Sequence, residues 1–227
     1  MAKKKENYMQ SSRSHWLKLS LELIAVFAGI SAGFFVNNYQ QKKSEQKLEV
    51  KYLESFHKNL VVDSIEIRTH IEEDQNNLDI SRRAVMTMVD GKLHEDSALA
   101  LMSVIATFNN LNMQNSTYES IVNSGNLGLI RDYDLKEELV NYYRYQSAIR
   151  DVEQVYNDYI TNYVIPLFFN SVDMLAGTFA EDFRTDSREF KNITAGYYML
   201  VEQKMDLLLE VDTVNNALIP LVARARN

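Results

Sequence analysis

From Trp16 to Tyr39 the chain runs 24 residues with only two charged side chains, Lys18 and Glu22. At the rise of an α-helix this covers about 36 Å, the hydrocarbon core of a bilayer plus part of both headgroup layers. Trp16 and Lys18 at one end, and Asn37, Asn38 and Tyr39 followed by Lys42 and Lys43 at the other, are the residue types that settle at membrane–water interfaces. The stretch is therefore expected to be a transmembrane helix over 16–39, with the lipid bilayer as its first partner.

A cleaved secretory signal is the main competitor, since Lys3, Lys4 and Lys5 make a basic start and Ser31-Ala32-Gly33 supplies small residues. Against it, Phe34, Phe35 and Val36 carry the apolarity past the small residues. Lys/Arg number five up to the start of the span and four just after it, which leaves the charge rule nearly tied. A short basic tail before one apolar helix is the pattern of an uncleaved signal-anchor. The expectation is thus a cytoplasmic tail over 1–15 and an exported, periplasmic domain over 40–227, in a bacterial inner-membrane protein.

Charge follows the same division. Residues 1–51 hold nine Lys/Arg against four Asp/Glu, while 52–227 hold fifteen against twenty-seven, within a total net charge of −7. So acidic a domain repels phosphate backbones, so no nucleic-acid partner is expected. The absence of cysteine excludes disulfides and thiolate metal sites.

Within the span Gly29 and Gly33 form a G-x-x-x-G pair with Ala25 one turn earlier, a face on which two helix backbones can approach closely. It suits self-association or a helix of another inner-membrane protein. Glu22 is costly in ionised form at membrane depth, so it is expected to pair with Lys18 four residues earlier, to be neutral, or to bind a polar group on a neighbouring helix.

No strand-like alternation is sustained anywhere, and proline is absent until Pro166, so the fold class is all-α: the N-terminal transmembrane helix continues into an extramembrane helical bundle. Leu53, Leu60, Ile67, Ile71, Leu78, Val85 and Met88 recur at heptad-compatible spacing up to Asp90-Gly91. A short helix opens at Asp96 or Ser97. In "STYESIVNSGNLGLIRDYDLKEEL", residues 116–139, Thr117 caps a short helix ending at Gly125, Gly128 permits a second sharp turn, and Asp134 with Glu137 reads as a capping box. The next helix carries Leu135, Leu139, Tyr142, Gln146, Ile149, Tyr156, Ile160, Tyr163 and Leu167 until Pro166 bends or ends it. The last carries Tyr197, Leu200, Val201, Leu207, Leu208, Val211, Val214, Leu218 and Leu221.

These stretches resemble an uncharacterised family of small bacterial single-span inner-membrane proteins, recognised by a Glu-apolar-Gly span closing on Asn-Asn-aromatic and a downstream Tyr-Glu…Ser-Gly-x-Leu-x-Leu-Ile segment. The matching residues are Glu22, Gly29, Asn37, Asn38 and Tyr39, then Tyr118, Glu119, Ser124, Gly125, Leu127, Leu129, Ile130 and the Tyr142-Tyr143 pair. The resemblance covers most of residues 16–145. It implies membrane attachment and a helical domain, and supplies no activity.

Catalytic and metal constellations are sparse. Glu54-Ser-Phe-His57 has the E-x-x-H spacing of carboxylate di-metal bundles but occurs once, and His70 with Glu66 or Glu73 has the wrong spacing. Gly125-Asn-Leu-Gly128 lacks the lysine of a phosphate loop. The tyrosines between Tyr142 and Tyr163 read as core-edge residues with wetted hydroxyls before they read as a groove. Asp63-Ser64-Ile65, Asp96-Ser97-Ala98 and Asp212-Thr213-Val214 resemble an O-glycosylation acceptor pattern of exported bacterial proteins. No catalytic residue, metal ligand or cofactor is assigned. The expected function is that of a non-enzymatic, membrane-anchored interaction or scaffold protein, an accessory subunit of a membrane complex. The alternative is a ligand-sensing helical bundle that signals laterally through the Gly29/Gly33 face or Glu22.

Overall fold

The computed structural model describes residues 2–226 and is all-α, with α1 (Ala2–Val89), α2 (Glu95–Ile105), α3 (Ser116–Asn123), α4 (Tyr133–Tyr159), α5 (Ile165–Ser171) and α6 (Arg188–Ala225). A two-residue antiparallel pair, β1 (Val172–Asp173) with β2 (Thr178–Phe179), is the sole sheet among the described residues. The chain divides into two compact units, Met1–Val50 and Lys51–Asn227.

The first unit lies wholly on α1. Its apolar stretch near the N-terminus is long and apolar enough to cross a membrane, with a mean hydropathy of 2.0 over its best window and none of that window buried. Trp16 and Tyr39 are exposed, and a Cβ built on Gly29 or Gly33 meets open space. Ser20 bends its hydroxyl back to Trp16 O at 2.8 Å, a local bond that hides a polar group against the helix's own backbone. Among the described residues no ion pair joins Lys18 to Glu22.

The second unit is a bundle of three long helices, residues 51–89 of α1 with α4 and α6. Asp63 meets Tyr142 and Leu60 meets Asn215, while further along α1 Asp74 shares Lys204 with Glu153, so α4 runs with α1 and α6 runs against it. All three carry unbroken seams of buried residues at alternating spacings of three and four, the pattern of knobs packed between neighbouring helices. On α1 the sevenfold series is Leu53, Leu60, Ile67, Asp74, Ser81 and Met88. On α4 the seam is Leu135, Leu139, Tyr142, Gln146, Ile149, Glu153, Tyr156 and Ile160. On α6 it runs from Phe190 through Tyr197, Val201, Lys204, Leu208, Val211, Asn215 and Leu218 to Val222. Polar residues thus sit inside the seams themselves.

The helix ends follow their local chemistry. α1 stops at Gly91, whose φ of +67° is left-handed and whose N–H, with that of Lys92, bonds back to Met88 O and Thr87 O. α2 starts at Glu95, one residue before the expected Asp96, on an N-cap, His94, that makes no side-chain bond. α3 starts at Ser116, so Thr117 lies inside the helix and instead accepts a bond from Asn59 at 2.9 Å. Gly125 is the left-handed turn as expected, with φ +69°. Gly128 lies in the second turn, a 3₁₀ turn over Asn126–Leu129, at ordinary φ. The α4 cap is Asp132, whose carboxylate accepts from Leu135 N at 3.0 Å, which leaves Asp134 in the first turn, where its charge still faces the positive helix end.

Pro166 does not end its helix, and the α geometry is interrupted just before it. A π turn, Ile160–Val164, precedes it, and the helix resumes as α5 with Pro166 in its first turn. A π turn holds one residue more than an α turn, so it frees the carbonyl that a proline ring would strike and rotates the downstream residues about the helix axis. The buried seam accordingly steps from Ile160 to Val164, and the expected Tyr163 is turned out to 56% exposure.

Candidate functional site

Two apolar clusters fill the bundle. One centres on Phe56, Leu60, Leu139, Tyr142 and Leu208, the other on Leu101, Ile160, Phe190, Tyr197 and Val201. Between them each long helix contributes a charged residue at a core position: Asp74 from α1, Glu153 from α4 and Lys204 from α6. Lys204 is 1% exposed, and its Nζ stands 3.1 Å from Asp74 Oδ2, 3.8 Å from Glu153 Oε1 and 5.3 Å from the centre of the Tyr156 ring. A buried ammonium persists only when paired and hydrogen-bonded, and this one has both supports.

The layer also holds backbone. Lys204 Nζ donates to Asn109 O at 2.8 Å, and Glu153 Oε1 accepts from Leu111 N at 2.6 Å. Glu66 accepts from Asn112 N at 3.3 Å and Asp63 from Gln114 N at 2.8 Å. Asn109 Nδ2 reaches Asp74 Oδ1 at 3.4 Å, and Tyr156 donates to Thr107 O at 3.5 Å. Residues 106–115, which join α2 to α3, are therefore strapped to the bundle by charged side chains from all three long helices. An irregular segment laid over a core needs such partners, because unpaired buried amides cost as much as lost hydrogen bonds.

Asp63 is the most heavily engaged of these groups. Besides Gln114 N its carboxylate accepts from Tyr142 Oη at 2.8 Å and Gln146 Nε2 at 3.0 Å. Burial nevertheless outweighs these bonds and pushes its carboxyl up to about 6. Burial raises Glu153 as well, against the pull of Leu111 N and Lys204. The Tyr142 and Tyr156 phenols are driven far up by burial, with the Asp63 charge adding to the first and neighbouring Tyr197 to the second. These tyrosines are deep core, at 0% and 1% exposure, rather than the wetted core-edge residues expected from sequence.

The residues singled out in the sequence fall elsewhere. Tyr118 stacks on Tyr143 with ring centres 4.2 Å apart, and Tyr143 meets Phe56 and Tyr142 edge-on or tilted. Glu119 accepts from Asn115 Nδ2 at 2.6 Å, and Ser124 bonds Ser120 O at 2.7 Å. Tyr52 is drawn to this turn through Ser124 and Asn126, whose hydrogen bonds lower its phenol. The Tyr118-to-Gly128 motif is thus an aromatic clasp that closes a turn on α1 and α4. Glu22, Ala25, Gly29 and Gly33 remain uncovered within the chain. His70 is buried with Glu66 Oε1 3.6 Å from its Nε2, and among the described residues no group of three or more His, Asp or Glu is placed to hold a metal ion. Ser64 is 8% exposed in mid-helix, which removes Asp63-Ser64-Ile65 as an acceptor site in the folded chain, whereas Ser97 is exposed.

Sequence reasoning passed over Asp63, Asp74, Glu153 and Lys204. Their signal was present: each fills a gap in an otherwise apolar seam. Comparison with protein-family models, with curated proteins and with solved structures finds no match to this chain.

Proposed function

We propose that this protein is a membrane-anchored interaction protein, an accessory subunit that an uncleaved signal-anchor holds in a bacterial inner membrane with its tail in the cytoplasm and residues 40–227 exported. It would belong with the single-span proteins it resembles and act without catalysing a reaction. The observation that carries the reading is the span: an apolar stretch with none of its residues covered by the rest of the chain and a Gly29/Gly33 face open to a second helix. The polar chemistry of the domain supports it too, because its buried charged groups are spent on holding their own strap. Gly29→Ile with Gly33→Ile is expected to lower crosslinked complex, with itself or a partner, at least severalfold in native membranes while the helical circular dichroism stays unchanged. Equal crosslinking of both proteins would sink the helix-contact reading.

One feature favours a ligand-sensing bundle as a second reading. A surface cavity of about 420 Å³ between the end of α1 and α2 is lined by Ile80, Ala84 and Leu101 and by the cationic Arg83 and Lys92 beside His94. Its composition suits an anionic amphiphile. Under that reading decanoate should raise the melting temperature of the full-length protein saturably, and less so in Arg83→Gln/Lys92→Gln; no shift, or an equal one in the variant, would remove it.

A further inference from the structure

The strap of residues 106–115 is held by groups that titrate, and their balance of charge is uneven. Asp63, Asp74 and Glu153 are three buried carboxylates, Lys204 is the one buried fixed cation among the described residues, and half-exposed Glu66 adds to the negative side. The strap reaches all three carboxylates, through Leu111 N to Glu153, Gln114 N to Asp63 and the Asn109 amide to Asp74. We infer that the strap is a proton-coupled latch, closing more tightly over the bundle as Asp63 and Glu153 take up a proton and loosening as they lose it.

The neighbours of each group set the sign. Asp63 faces Glu66 on its own helix, Tyr142, Tyr143 and Gln146 from α4, and Gln114 N from the strap, while α6 brings Asn215, whose amide donates to Leu60 O. No cation stands among them. Glu153 faces His70 and Asp74 from α1, Lys204 from α6 and Leu111 N from the strap. Lys204 is thus shared by two carboxylates and leaves Asp63 without a counter-charge. Desolvation then favours the neutral acid, and Asp63 binds its proton more tightly under the closed strap than in water.

Loss of the anion does not cut the strap loose. Gln146 Oε1 is buried and has no partner. A protonated Asp63 Oδ2 can donate to that oxygen after the amide turns over, which gives up the long 3.4 Å bond from Gln146 Nε2 to Gln114 O, while Oδ1 keeps the shorter one from Gln114 N. By linkage, the closed state is favoured by acid, and the opening constant falls about fivefold per pH unit between about pH 6 and pH 4. This inference uses residues 51–227 only and stands whether or not the anchoring proposal holds.

The test is hydrogen–deuterium exchange on the full-length protein in phosphatidylcholine nanodiscs between pH 8 and 5, corrected for intrinsic rates. Peptides covering 107–114 should gain about fivefold in protection from pH 6 to pH 5 at local openings that leave peptides covering 135–149 more strongly protected throughout. Asp63→Asn should make strap protection nearly independent of pH and at least as high at pH 8 as the natural protein's at pH 5. Should that variant misfold, Glu153→Gln is expected to flatten the profile in part. Protection that is flat with pH, or that falls with acid, overturns the latch.

Discussion

Lys204→Met is expected to destabilise the bundle of residues 51–227 by about 3–5 kcal/mol, the cost of stranding a buried charge without its partner. The substitution keeps an unbranched stem of nearly the same length, so lost packing contributes little, while the ammonium over the Tyr156 ring is removed. What goes is the ammonium 3.1 Å from Asp74 and 2.8 Å from Asn109 O. Asp74 and Glu153 are then left as buried anions that repel each other, and one buried carbonyl loses its donor. For a unit of this size the melting temperature should fall by about 10 °C, read by circular dichroism of the full-length protein in detergent. Adding Asp74→Asn and Glu153→Gln removes the stranded charges, restores a donor near Asn109 O, and should recover at least half of the loss. A drop under about 1 kcal/mol for Lys204→Met alone would mean that the charged layer is solvated and the strap held by other contacts.

Much of the fold could be read because the long helices obey one repeat. Leu53, Leu60 and Ile67 on α1, Leu139, Tyr142 and Ile149 on α4, and Val201, Leu208 and Val211 on α6 are buried as their spacing requires. Gly91 and Gly125 could be placed because only glycine enters a left-handed turn without strain. The second turn, at Gly128, is a 3₁₀ turn at ordinary φ and does not draw on that freedom. At the α4 cap two aspartates two residues apart compete, and Asp132 wins because its carboxylate is the one three residues from a free N–H, that of Leu135.

The charged layer occupies positions that an apolar repeat leaves blank. Asp74 continues the sevenfold series Leu53, Leu60, Ile67; Glu153 stands midway between Ile149 and Tyr156; Lys204 stands between Val201 and Leu208. Each taken alone looks like a solvated side chain. Three such gaps, one on each long helix, are a pattern, and a polar residue at a core position is the usual means of fixing register and partner in heptad packing. The π turn before Pro166 could be read no better, because a proline in a helix marks a disturbance without saying whether the chain kinks, stops or inserts a residue.

Asp63→Asn is expected to stabilise the bundle at pH 8 by about 2–3 kcal/mol and to leave it nearly unchanged at pH 4, the reverse of what the loss of three charge-assisted hydrogen bonds suggests. Asp63 is fully buried, and its carboxyl is pushed from the ordinary 3.8 to about 6. A carboxyl whose folded value lies above its unfolded one binds protons more strongly in the fold. Its contribution to stability is therefore complete below about pH 4 and lost as the pH rises through 6. Asparagine supplies the neutral form at every pH. Its Oδ1 can take the bond from Gln114 N, and its Nδ2 can donate to Tyr142 Oη and to Gln146 Oε1 once that amide turns over. Other carboxylates move with pH in both proteins, so the informative quantity is the difference between natural and variant free energies of unfolding in urea, taken at half-unit steps from pH 8 to 4. That difference should shrink as the pH drops through 6. A variant less stable than the natural protein at pH 8 would show that the three bonds to the ionised carboxylate outweigh its burial, and would reverse the sign of the latch as well.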